Sequence, residues 1–139
     1  MRIFIDANIV LDVLLKRIDF IEESAKVLVI CKAKKSALAP HTISNIFFIT
    51  RKEYAAKERK EMLLNILEYV DIVPVGKHQI VQALKNDNMD DFEDALQLEC
   101  AKEFNADYFV TRDLSGFANM GVAVISPEAF IKEFEKQEG

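Results

Sequence analysis

The sequence predicts an α/β fold, a three-layer α/β/α sandwich around a parallel sheet of four to five strands. Short apolar runs carry that prediction: Ile3-Phe4-Ile5, Ala37-Leu38-Ala39, Ile72-Val73, Tyr108-Phe109-Val110 and Val122-Ala123-Val124-Ile125. They alternate with longer stretches of helical periodicity, the signature of parallel strands joined by right-handed helical crossovers. The first run is also continuously apolar, as expected of a strand covered on both faces.

A chain of 139 residues fits one domain spanning 1–139 with a sizeable core. Half the residues are hydrophobic and only 4 are Gly and 3 Pro, which argues against disorder and linkers. No apolar run approaches the roughly 20 residues that span a bilayer, and the first residues lack the order of a secretion signal. Cys31 and Cys100 lie in apolar helical patterns and fit free thiols in a reducing cytoplasm. A net charge of −5 excludes a protein that coats nucleic acid through bulk charge, but not an enzyme using a local basic strip and bound metal.

The elements follow in order. After strand Ile3–Ile5, a helix runs from Asn8 to about Lys16, with Asp6 or Asn8 as its cap. Asp19 and Glu22 have capping-box spacing and open a helix from Phe20 to about Lys34 that buries Ala25, Leu28 and Val29. Pro40 stops the weak strand 37–39. Helices follow over Thr42 to about Tyr54 and Ala56 to Tyr69; Ile72-Val73 is the third strand, stopped by Pro74. A helix from Lys77 to about Asn86 leads, through the acid-rich segment 86–91, into another ending near Asn105. Ser126, Pro127 and Glu128 open the last helix as cap, first-turn proline and dipole-facing acid.

Three acids occupy comparable places in this plan. Asp6 follows the first strand, Asp113 follows the fourth, and Asp94 lies in the first turn of the helix after Asp91. Strands one and four are neighbours only if the chain order reverses between them, which opens a crevice at their carboxyl ends. Two carboxylates ~5 Å apart repel by about 3 kcal/mol at an effective dielectric near 20, a large fraction of a domain stability of ~5–15 kcal/mol. Either one acid keeps a proton or a divalent cation neutralises the group. Oxygen-only ligands favour magnesium or manganese over zinc. Such a site suits phosphodiester hydrolysis, in which divalent cations activate water and stabilise the leaving oxygen.

Four segments, Ile5-Asp6-Ala7-Asn8-Ile9-Val10-Leu11-Asp12, Ser44-Asn45-Ile46, Asp91-Phe92-Glu93-Asp94-Ala95-Leu96 and Val110-Thr111-Arg112-Asp113, together resemble the PIN domain family. The resemblance spans nearly the whole chain and is nearest the branch described as toxin components of prokaryotic toxin–antitoxin pairs. It implies a metal-dependent ribonuclease with Asp6, Asp94 and Asp113 as metal-binding acids and Asp91 as an extra acid at the rim. It implies an RNA substrate and a cognate antitoxin. The family pattern usually carries glutamate where this chain has Asn45; an amide still coordinates or holds water, but carries no charge and is no base. Thr111 would orient a carboxylate or water, and Arg51, Lys52 and Arg112 would receive substrate phosphates.

Plainer roles stand beside these. Acids at 90–94 face a helix dipole without needing a function, Asp91 and Asp94 have the spacing of a capping-box variant, and Asp113 precedes a glycine turn. Asp12 reads as a structural hydrogen-bond partner or a solvated acid. His41 and His78 lack ligand spacing and read as structural or surface residues. Two rival functions remain: a PIN-like scaffold that binds RNA or protein without cutting, favoured by Asn45, and a phosphatase with Asp6 as nucleophile. Asn8 replaces the second acid such phosphatases carry. The exposed apolar surface of the helices Phe20–Lys34 and Thr42–Tyr54 would pair two copies into a homodimer or seat an antitoxin segment, with Phe47, Phe48 and Tyr54 as candidates.

Overall fold

Strand β1 (Arg2–Ile5) runs through the centre of a parallel sheet, flanked by β2 (Lys35–Leu38) and β4 (Tyr108–Val110). Strands β3 (Asp71–Ile72) and β5 (Val124–Ile125) form the edges, giving the order β3-β2-β1-β4-β5. The computed structural model describes residues 1–117 and 120–138. Phe4 pairs with Phe109 and Ile5 with Val110, so strands far apart in sequence lie side by side. The direction of chain progression reverses between them, which creates the expected switch point.

Alternation along β1 divides the core. Ile3 and Ile5 face α1 (Ala7–Leu14), α2 (Ile21–Ala33), α3 (Pro40–Ile49), α4 (Ala56–Leu67) and α7 (Pro127–Glu138). Phe4 points the other way, onto Leu98 and Ala101 of α6 (Phe92–Glu103) and onto Phe109 and Phe117. Helix α5 (Lys77–Leu84) packs on α6 through Ala83, Ala95 and Leu96. Phe4 meets Phe109 edge-on at 5.1 Å between centroids, and Phe109 meets Phe117 at 4.6 Å. All three rings are buried, each contributing about 1.5–3 kcal/mol by leaving water. Cys31 and Cys100 are free and buried, and burial pushes both thiols up to about 12. Among the described residues, no helix is long and apolar enough to cross a membrane.

Several local expectations change. Asp19 does not cap α2: Phe20 holds the cap position without a side-chain bond, and the Phe20 and Ile21 amides donate to Arg17 O instead. A backbone turn thus replaces the capping box. Val29 is 63% exposed, because α2 buries Val27, Leu28, Ile30 and Cys31 and residue 29 falls outside that stripe. Helix α3 begins at Pro40, which serves as its first-turn proline, and ends at Ile49. Thr50 Oγ1 there donates to Ile46 O at 2.8 Å, and residues 50–52 tighten into a 3-10 turn. Lys52 therefore does not continue the helical face of Asn45. Asn105 has φ 55° just past α6, near where the sequence ends that helix. Ser126 Oγ accepts from the Ala129 amide at 3.1 Å, as a serine cap does.

Candidate active site

Asp6 lies at the carboxyl end of β1, where its amide donates to Val110 O and extends the ladder by one bond. It occupies the cap position of α1 but its carboxylate makes no capping bond, and Asn8 lies inside the helix. Asp6 is buried, 8% exposed as a residue. Oδ2 accepts from Thr111 Oγ1 at 2.8 Å, and Oδ1 stands 3.5 Å from Gln97 Nε2. Both partners are neutral.

The other acids come from two segments, the start of α6 and the turn after β4. Asp94, in the first turn of α6, has its pKa pushed up to about 6, first by burial and then by the charges of Asp91, Asp6, Asp113 and Glu93. Folding has therefore gathered acids that stand 88 and 107 positions from Asp6 in sequence. Ala95 and Leu96 turn into the core and hold Asp94 at the surface of the cleft. That cleft, of about 150 Å³, is lined by Asp6, Asn8, His41, Asn45, Glu93 and Asp94, among others.

Not every expected residue stands at the cleft wall. Asp91 Oδ1 accepts from the Asp94 amide at 2.9 Å, the capping bond of α6. Asp113 is exposed; its Oδ1 accepts from the Gly116 amide at 3.1 Å while its own amide donates to Thr111 Oγ1. Arg112 turns away to pair with Asp12, 2.9 Å from Nη2. Arg51 bonds Phe48 O and covers the Phe48 ring, and Lys52 is exposed. Asp12 is fully buried and bonded by Ser24, Arg17 and Arg112, the structural role read from sequence.

Three residues join the site that sequence reasoning left aside. Gln97 is buried one turn along α6 from Asp94, and a polar side chain among apolar neighbours at that spacing was the available signal. Glu93 accepts from Asn45 Nδ2 at 3.1 Å. His41 Nε2 meets Glu93 O at 3.1 Å, while its Nδ1 is buried without a partner. Nothing in the sequence pairs His41 with residue 93, because the contact is made between helices.

Among the described residues, none of the ion pairs engages Asp6, Asp91, Glu93, Asp94 or Asp113. Among the described residues, no three acids, histidines or cysteines stand close enough as arranged to chelate one ion. The donor set nevertheless fits a hard divalent cation: carboxylate and amide oxygens, one carboxylate buried without any positive partner, and mutual repulsion that raises Asp94.

A parallel α/β/α sandwich with acids collected at its switch point defines the class of protein. The sequence profile of the PIN domain matches residues 2–115, and the chain belongs to the PIN domain family. No curated protein matches it significantly. Its fold is similar to that of a chain in VapBC2 from Rickettsia felis bound to a promoter DNA fragment, with TM-score 0.68, 15% identity, and coverage of 91% of this chain and 98% of that one. A toxin–antitoxin complex from Klebsiella pneumoniae gives 0.67 at 21% identity, covering 89% and 96%. VapBC-1 from nontypeable Haemophilus influenzae gives 0.70 at 12%, covering 92% and 99%.

Proposed function

We propose that the protein is a magnesium- or manganese-dependent ribonuclease, the toxin component of a toxin–antitoxin pair. The observation that carries this reading is the buried Asp6 carboxylate, partnered only by neutral groups and close enough to Asp94 to help raise it. Asp6, Asp94 and Asp113 would hold the cation, with Asn45 assisting. Bound there, the ion would supply positive charge for the phosphodiester and lower the pKa of water. Thr111 Oγ1 holds Asp6 Oδ2 and also receives the Asp113 amide, so one hydroxyl aligns two of the three acids. Membership of the PIN family and the likeness to toxin chains support the RNA substrate and the antitoxin partner.

The apolar groove between α3 and α4, about 470 Å³ and lined by Ile43, Phe47, Leu63, Leu64 and Leu67, is where an antitoxin segment or second copy would lie. Leu64 is 64% exposed and Phe48 60%. Tyr54 is less available, since its hydroxyl donates to Leu14 O at 2.6 Å.

RNA cleavage with manganese, comparing wild type with Asp94→Asn, tests the reading. Cleavage by the wild type alone, abolished by chelator, is expected. Manganese should also raise the melting temperature of the wild type by ligand linkage. Binding of RNA with no cleavage by either protein would instead establish the scaffold reading, which the Asn45 amide favours.

A further inference from the structure

We propose that Asp12 is a positioning residue for the acidic cleft, acting through Arg112: its buried carboxylate holds and neutralises a cation that would otherwise compete for the acids. The inference rests on the metal reading above and deepens it.

Arg112 stands between Thr111 and Asp113, the two residues that follow β4 into the site. A guanidinium is always charged, and its planar fork suits carboxylates. Here it is drawn the other way. Nη2 lies 2.9 Å from Asp12 Oδ1, and the guanidinium carbon stands 3.6 Å over the Phe20 ring. Its Nε is buried with no acceptor. Among the described residues, Asp12 is thus the only anion that engages it.

Asp12 is built for this task. It is completely buried, where an unpaired carboxylate would be costly, and both oxygens are occupied. Oδ2 accepts from Ser24 Oγ at 2.7 Å, and Oδ1 also takes Arg17 Nη1 at 3.2 Å. Arg17 has a second hold on Asn8 Oδ1 at 3.0 Å, at the cleft lining. One carboxylate therefore fixes two guanidinium groups, one bonded to the cleft-lining Asn8 and the other carried by the residue that precedes Asp113. Removing that charge leaves positive potential next to the acids and frees a fork able to pair with Asp113, its neighbour in sequence. Either change disfavours a divalent ion.

The test is calorimetric titration of manganese into the wild type, Asp12→Asn, Arg112→Gln and the double variant. Asp12→Asn should bind about ten-fold more weakly, as expected for a displaced unit charge acting on a divalent ion. The double variant should return to within about two-fold of wild type, and Arg112→Gln alone should match it. If Asp12 merely supported the fold, the double variant would bind no better than Asp12→Asn. That result, unchanged affinity in Asp12→Asn, or weakened affinity in Arg112→Gln overturns the proposal. Phe20→Ala loosens the same guanidinium from its exposed side and covers a failure of Asp12→Asn to fold. A few-fold loss in affinity is expected there, and no loss overturns the proposal. A wild type that takes up no manganese overturns the metal reading itself, an outcome visible before any variant is compared.

Discussion

Asn45 Nδ2 on α3 donates to Glu93 Oε2 on α6 across 3.1 Å. The Asn45 amide thus grips an acid from another helix. Because Glu93 also contributes to the upward shift of Asp94, its charge is felt inside the cleft. Glu93→Gln should therefore weaken manganese binding by about three- to ten-fold, measured by calorimetry, as loss of one nearby charge implies. Asn45→Glu places two carboxylates in contact, and its melting temperature in chelator should fall, with manganese restoring part of the loss.

Asp94 carries a stability prediction with a definite sign. Its pKa rises from an ordinary 3.8 to about 6 through burial and four neighbouring acids. Between those values the folded chain binds more protons than the unfolded chain, so metal-free stability falls as pH rises through that window. Urea unfolding in chelator should show this decline between about pH 4 and 6. Asp94→Asn should flatten it, and should be the more stable protein at pH 7 while losing cleavage.

Thr111 is fully buried and its hydroxyl serves two acids at once, as donor to Asp6 and acceptor from the Asp113 amide. Thr111→Val keeps the shape but leaves a buried carboxylate and an amide without that partner. A loss of about 1–3 kcal/mol in unfolding free energy is expected. Cleavage should fall further than stability, because Asp6 loses its orientation; thermal melts and initial rates on the same preparation separate the two.

Gly116 sits where a Cβ would collide with the Asp113 carboxylate, whose Oδ1 accepts its amide at 3.1 Å. Gly116→Ala should therefore displace Asp113 and lower cleavage by about ten-fold or more, as misplacement of a site group does. The melting temperature should change by only a few degrees, the segment being at the surface. A variant with full activity would show that Asp113 tolerates displacement.

The α/β class, the five strands and the acids at the strand ends were legible because each rests on local pattern. Ile3-Phe4-Ile5 cannot be covered on both faces without a layer of helices on each side, and a carboxylate directly after that strand has to emerge at its carboxyl end. The shortening of β5 to two residues, the 3-10 ending of α3 and the uncapped start of α2 were not legible. They depend on where neighbouring elements stop and on which backbone groups find tertiary partners.

Sequence by itself determined which acids would follow which strands, since strand burial and chain direction are encoded in runs of a few residues. Tertiary structure alone decided the company they keep. Hydrogen bonds and ion pairs form over about 3 Å, a distance that residues 6 and 111, 45 and 93, or 12 and 112 reach only once β1 and β4 pair and the helices pack. Where an arginine directs its charge is decided by that packing, as the 2.9 Å pairing of Arg112 with Asp12, one hundred positions away in sequence, shows.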